Sequence, residues 1–462
     1  MQLLVIALPF LLTLTLLILE RVLPSLKFKW NSLVPVVLPV IGLGLSSLLV
    51  WQPLAKSEDG IFGYSPLSQI FLTLLFILCA IAVAVVYLTD NLNLFIFGPV
   101  TLSVCGTINV AFYINNVFIV VLCFVGAEFI SIISIVDVGT GDEERFVRTV
   151  KSAVRYLIVT VLFGLLLFVA QVFLERLRLD PQQVGLIKII VALAITGFAL
   201  RLGVFPLNLW VPQVVEDSPA LASWLALGMV NAAAVIFLVD FSRQNPVLLI
   251  NNYSEAQAVM ILGLAGAVLA GALALVQTSF GKMLAYTISG NLSLILFGLA
   301  SPHETGLRGA LFDTANFALT LLLIFTSLAA VFYCNHGRPI ARLTGLGRRM
   351  PVSAVGLIFG LLSMAGIPVF SGFAGKYLIL QSAAQEGLVW VLFGGLAIML
   401  WLLAYLRYFH NLFMGREVPG LKTRPEPLGA IVVILGLISI VILAGIWPTP
   451  ILDWLGNSLG GS

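Results

Sequence analysis

Charge is what this 462-residue chain has least of: Asp, Glu, Lys and Arg make up 10% of it, against about a quarter in a soluble domain. A water-soluble fold of this length is excluded. Cysteine is scarce too. The four that occur, Cys79, Cys105, Cys123 and Cys334, show no C-x-x-C spacing, which removes iron–sulfur and zinc readings and leaves small apolar packing residues. The three histidines, His303, His336 and His410, lie at connections or helix ends rather than at helical spacing, which argues against a haem pair. Neither G-x-x-x-x-G-K-[ST] nor a G-x-G-x-x-G after a strand occurs, so ATP and dinucleotides have no evident site. The expectation is no cofactor and no catalytic chemistry within the chain.

What the chain has in excess is apolar length. Hydrophobic residues make up 60% of it, mean hydropathy is +1.10, and runs of the roughly 20 residues that a membrane crossing needs recur throughout. The fold class expected is an all-α polytopic membrane protein of about fourteen transmembrane helices. They are placed at 2–19, 33–51, 66–88, 93–114, 117–136, 152–174, 185–211, 219–241, 257–276, 283–301, 308–333, 352–385, 388–410 and 427–447. No basic residue precedes the first run and no small-residue cleavage site follows it, so it is expected to be a retained helix.

Basic residues concentrate after odd-numbered helices: Arg21, Lys27, Lys29, Arg145, Arg148, Lys151, Lys282, Arg338, Arg342, Arg348, Arg349, Arg416, Lys422 and Arg424. The opposite connections hold Lys56, Arg176, Arg178, Arg243 and Arg308. The positive-inside rule then puts both termini on the non-cytoplasmic side of a bacterial-type inner membrane or a thylakoid-like one. The net charge of +3 reflects that asymmetry and implies no nucleic-acid partner.

Two of the apolar helices are interrupted by proline with a cation nearby: Arg201 precedes Pro206, and Lys376 follows Pro368. Proline frees backbone carbonyls, and at membrane depth such a break survives only where protein or a hydrated cavity meets the exposed groups. A charge at the bilayer centre costs about 2.5–3.5 kcal/mol on insertion scales, so one that is kept there faces the bundle interior and has a role. Broken helices in corresponding halves point to a transport site.

Glu128 stands in VLCFVGAEFISIISIV with no further charge until Asp137. It reads as an ion-handling carboxylate or as a protonated carboxyl bonded to a neighbouring helix. Arg201 is the expected partner of Glu128; arginine can gate a carboxylate but does not relay protons itself. Lysine sheds its proton more readily when desolvated, so Lys376 reads as a terminal relay, or as a structural ion pair with Asp313. Arg155 reads as part of the ion path or as a side chain reaching the membrane surface. Asn231, Asn291, Asn316, Thr320 and Gln277 add uncharged polar groups able to hold water or to bond between helices. Lys188 and Arg407 are expected to be surface anchors, and Asp142 to Arg145 a solvated turn.

Three segments carry a family resemblance. GLGRRMPVSAVGLIFGLLSMAGIPVFSGFAGK, from Gly345 to Lys376, resembles a G-L-x-x-x-M-P loop followed by an A-G-I-P-x-x-x-G-F-x-x-K helix. LRLGVFPLNLWVPQVVEDSP, from Leu200 to Pro219, is similar to K-x-x-x-x-P-F-H-x-W-x-P-D, and LVQTSFGKMLAYTIS, from Leu275 to Ser289, to Q-x-D-x-K-R-x-L-A-Y-S-S. These patterns resemble the antiporter-like membrane subunits shared by respiratory complex I, its photosynthetic relatives, membrane-bound hydrogenases and Mrp-type cation/proton antiporters.

The resemblance implies two inverted five-helix repeats, each with a broken helix, here helices 7 and 12. It divides the chain into helices 1–3 (1–92), a first repeat (93–241), a second (257–410) and a C-terminal helix with a tail (427–462). It implies ion translocation, other membrane subunits and the lipid bilayer as partners, and H⁺, with Na⁺ or K⁺ as alternatives, as the cargo. Glu128 matches the glutamate of helix 5, Arg201 stands where most relatives have its partner lysine, Lys376 matches the lysine of helix 12, and Arg155 aligns with a lysine of helix 6. Departures fall between these: Met229 and Leu225 replace a lysine and a histidine of helix 8, Asn316 and Thr320 a histidine and lysine of helix 11, and Asn291 a histidine of helix 10. Three readings stay open: an ion-translocating subunit, a transport-inactive scaffold of such a complex, and a proton-path partner of an oxidoreductase or inorganic-carbon uptake system.

Overall fold

A computed structural model of the chain describes residues 2–22, 34–51, 63–89, 94–114, 116–136, 143–180, 185–245, 253–335, 346–413 and 424–460. Lys27, Lys29, Lys56, Asp142, His336, Arg338, Arg342, Gly345, Arg416 and Lys422 lie outside the described residues. Every regular element among the described residues is a helix. Lipid cannot satisfy backbone amides, and a helix pairs them within one segment. Eleven of these helices are long and apolar enough to cross a membrane, and three further apolar helices are shorter. The chain is a multi-pass integral membrane protein.

The contacts group into two compact units, residues 1–198 with 217–244, and 199–216 with 245–462. The first holds α1 (Gln2–Val22), α2 (Val34–Leu49), α3 (Pro66–Thr89), α4 (Leu94–Tyr113), α5 (Val117–Ile135), α6 (Glu143–Leu179) and the start of α7 (Gly185–Leu202). It then resumes with α9 (Ala220–Trp224), a π turn (Leu225–Met229) and α10 (Val230–Gln244). Aromatic packing joins these helices: Phe124 stacks on Phe237 at 5.0 Å, and Phe198 meets Phe163 edge-on at 5.5 Å.

Two expectations need correcting here. Residues 143–145 are not a solvated turn but the first turn of α6, where Glu143 and Glu144 suit the positive end of the helix dipole and Arg176 and Arg178 the negative end. The helix expected at 219–241 is interrupted by the π turn, which leaves no mark in hydropathy because its residues are as apolar and buried as their neighbours.

The second unit contains the end of α7, α8 (Val211–Asp217), α11 (Tyr253–Val276), α12 (Phe280–Ala300), α13 (Glu304–Cys334) and α14 (Leu346–Arg349). It continues through α15 (Pro351–Ala365), α16 (Gly372–Glu386), α17 (Leu388–Phe413), α18 (Leu428–Ile446) and α19 (Thr449–Gly460). The tail expected after helix 14 is therefore partly helical. α19 is amphipathic, with Leu455 and Ser458 buried and Asp453, Trp454 and Asn457 exposed, and it is too short and polar to register as a span.

Both chain breaks begin at a glycine in the left-handed region. Gly203 (φ 67°) ends α7 and Gly366 (φ 76°) ends α15. A Cβ on Gly203 would press on Val211 and Trp210, and one on Gly366 would meet the Lys376 stem at 2.5 Å. Glycine is needed at each for conformation and for space. Pro206 and Pro368 follow within the non-helical stretches, and the Phe205–Pro206 bond is cis.

Candidate ion-translocation site

In the second unit, α13 places Asp313, Asn316 and Thr320 at three- and four-residue spacing, hence on one face. All three are buried. The break between α15 and α16 brings three more polar side chains to that face: Ser363 from the last turn of α15, Ser371 from the break, and Lys376 from the start of α16.

Lys376 Nζ donates to both oxygens of Asp313, at 2.9 and 3.1 Å. Its residue is 1% exposed and that of Asp313 0%. The Asn316 amide donates to Asp313 Oδ1 at 3.3 Å, and Asn316 Oδ1 accepts from Ser371 at 2.5 Å, Thr320 at 3.0 Å and Ser363 at 3.1 Å. Ser363 Oγ also accepts from the Gly372 amide at 3.3 Å, satisfying an early N–H of α16. The result is an unbroken hydrogen-bonded chain from a buried cation through a carboxylate and an amide to three hydroxyls. Of the groups in that chain, the lysine and the carboxylate can hold or release a proton.

Arg201 is fully buried at the end of α7, with its guanidinium 5.6 Å from the centre of the Trp210 ring. Trp210 in turn donates to the Leu200 carbonyl at 3.1 Å, an oxygen that also accepts from the Gly203 amide at 3.2 Å. Asn208, within that break, donates to Ser289 of α12 at 3.2 Å. Farther along α12, Asn291 is buried with no hydrogen-bond partner for either amide atom among the described residues. An amide so placed costs about 1–3 kcal/mol unless water meets it, so the position calls for water.

In the first unit, Glu128 is fully buried on α5. Thr160 of α6 donates to Glu128 Oε2 at 2.5 Å, and Ser131, one turn along α5, lies 3.4 Å from the Tyr156 hydroxyl. Tyr156 is buried, whereas its neighbour Arg155, about 100° around α6, is exposed. Asn231 is buried directly after the π turn, whose Leu225 and Met229 are buried and apolar. Outside these clusters Lys188 is exposed, Gln277 donates to the Leu273 carbonyl at 3.1 Å, and Arg407 donates to the Leu275 carbonyl. Among the described residues no group of three His, Cys, Asp or Glu stands together to hold a metal.

Thr160, Tyr156, Ser131, Ser363, Ser371 and Asn208 were not singled out in the sequence. A usable signal existed for two of them: Ser363 and Ser371 flank the Gly366–Pro368 break, where freed backbone groups need partners.

Residues 119–400 match the family model described as NADH:quinone oxidoreductase/Mrp antiporter, transmembrane. Among curated relatives, NADH-quinone oxidoreductase subunit N of Desulforamulus reducens is 29% identical over 59% of this chain and 57% of its own length. Formate hydrogenlyase subunit 3 of Escherichia coli is 31% identical over 45% of this chain and 36% of its own. The aligned region thus spans little more than half of the first relative and about a third of the second. In fold, the chain superposes on a chain of the Mrp complex from a Dietzia species with a TM-score of 0.80, at 16% identity over 98% of this chain and 97% of that one. A chain of respiratory complex I from Thermus thermophilus gives 0.73, at 20% identity over the full length of both.

Proposed function

Because the chain belongs to the NADH:quinone oxidoreductase/Mrp antiporter family of membrane subunits, we propose that it moves protons across the bilayer as one subunit of a larger membrane assembly. The observation that carries this reading is the buried Lys376–Asp313 pair with its continuation through Asn316, Ser371, Ser363 and Thr320. An ion pair held inside a membrane protein is expensive, and an intramembrane ionisable residue that is kept there is by default a functional one. Lys376 stores the proton and releases it to water; Asp313 holds the ammonium in place between transfers. Glu128, bonded to Thr160, is the corresponding proton-holding group of the first unit. Fourteen crossings in two inverted repeats, with basic connections facing the cytoplasm, belong to the same proposal.

The test is proton flux in sealed vesicles carrying the assembled complex. Lys376→Ala and Glu128→Gln are each expected to abolish flux while the partner subunits still co-purify; flux equal to the parent's in both overturns the proposal. A scaffold without transport is the second reading, favoured by the apolar Leu225 and Met229 in the π turn, and it predicts that unchanged flux. Whether a cation gradient or a redox reaction drives the protons is read from the co-purifying subunits.

A further inference from the structure

A second polar cluster of this unit lies outside the chain described above. Where the start of α13 meets the end of α16, His303 Nε2 and Glu386 Oε1 are 2.9 Å apart, and Ser301 and Ser382 share a hydrogen bond. The His303 side chain is 34% exposed and that of Glu386 11%, so the histidine faces outward and the carboxylate lies behind it. Beside them the buried Thr305 hydroxyl has no hydrogen-bond partner among the described residues. Further charges at this end among the described residues are Glu304 and Arg308, which pair with each other at 2.6 Å, and the exposed Asp453 of α19, the helix whose Gly456 lies against Arg308.

Helix geometry connects this cluster to the ion pair. Lys376, Ile379, Ala383 and Glu386 recur at three- and four-residue spacing and so share one side of α16, over a rise of about 15 Å. Between the two polar layers sits Ile379, fully buried and seated against Gly298 of α12 and Gly309 of α13. The order along α16 is ion pair, apolar plug, then a partly open cluster with a titratable histidine.

We propose that His303 and Glu386, with Ser301 and Ser382, form the mouth through which Lys376 exchanges protons with the aqueous phase, and that Ile379 is the plug separating mouth from ion pair between transfers. In the outward step a proton leaves Lys376 Nζ, which becomes a neutral amine. Water admitted as Ile379 moves carries it to the Glu386 carboxylate or the free imidazole nitrogen, and thence to bulk; uptake is the reverse. Histidine suits the position because its two ring nitrogens can accept a proton on one side and donate one on the other. The inference rests on the translocation reading for its proton step, while the mouth and plug stand on geometry alone.

Thiol labelling separates the two. In sealed vesicles, Ser301→Cys, at the half-buried edge of the cluster, is expected to react with a membrane-impermeant thiol reagent from one side only, over the background of the parent's native cysteines. Lys376→Cys, made with Asp313→Asn so that no carboxylate is stranded, is expected to be protected, and to react from that same side at least tenfold faster once Ile379→Ala is added. A Ser301→Cys thiol unreactive from both sides, or a Lys376→Cys thiol equally reactive with isoleucine or alanine at 379, overturns the mouth and plug. With labelling as expected, His303→Ala and Glu386→Gln should each lower proton flux and change its dependence on the pH of that side. Parental profiles in both overturn the proton-exchange role. Labelling as expected in a parent complex that moves no protons overturns the translocation reading and leaves the mouth standing.

Discussion

Lys376 and Asp313 make a quantitative test of whether a charge pair is held in the protein interior. At 2.9 Å and an effective dielectric of about 20, the attraction is 332/(20 × 2.9), or about 6 kcal/mol. Desolvation of both groups returns much of this, whereas stranding one partner costs about 3–5 kcal/mol. The surroundings offer little relief to a stranded Asp313, since beyond the ammonium the Asn316 amide at 3.3 Å is its hydrogen-bond donor. Lys376→Met and Asp313→Leu are each expected to lose about 3–5 kcal/mol, a drop of roughly 6–20 °C for a unit of this size. The double variant replaces the pair by apolar groups and is expected to cost less than either single one, a coupling of about 3 kcal/mol or more. Thermal unfolding of the purified complex in mild detergent, run as a double-mutant cycle, measures it. Additive costs, or single losses below about 1 kcal/mol, would refute the reasoning.

Three further outcomes follow from individual contacts. Thr160→Val removes the hydroxyl that donates to Glu128 at 2.5 Å and is expected to cost about 1–3 kcal/mol, the range for a buried polar group left without its partner, together with a loss of flux; stability and flux both at the parental level would show that the hydroxyl does not hold the carboxyl group. Asn291→Leu discards an amide without a partner among the described residues. It should leave thermal stability unchanged or higher by about 1–3 kcal/mol while lowering proton flux, and full flux would mean that no conducting water stands there. Val369, in the break before α16, has φ 82° and is 55% exposed. Left-handed backbone costs a side-chain-bearing residue about 1–2 kcal/mol, against about 0.5–1 kcal/mol of extra chain entropy for glycine. Val369→Gly should therefore stabilise the complex by up to about 1 kcal/mol, and a loss on chemical denaturation would show that the valine side chain is needed for packing.

How much of this could be read from the sequence depends on the kind of residue. The breaks were legible because proline and glycine are punctuation in any helix, and Lys376, Asp313 and Glu128 because a charge inside an apolar run is costly enough to need a reason. Hydroxyls are not legible in this way. Within an apolar helix a serine or threonine can always bond its own chain one turn back, as Thr314 does to the Ala310 carbonyl and Ser327 to the Leu323 carbonyl. Ser363, Ser371 and Thr160 look no different in sequence, and only the meeting of separate elements decides that they reach another side chain. The π turn was hidden for a related reason: a one-residue change in hydrogen-bond register leaves hydropathy untouched. The same distinction bears on mechanism. Asn316 and Thr320 can donate and accept hydrogen bonds but hold no titratable proton, so on the proposed path a proton crossing them would have no intermediate store before Asp313 and Lys376. On that proposal the second unit keeps its proton storage in one ion pair, and the exchange of Lys376 with water, rather than passage along the amide and hydroxyls, would be the step most exposed to single substitutions.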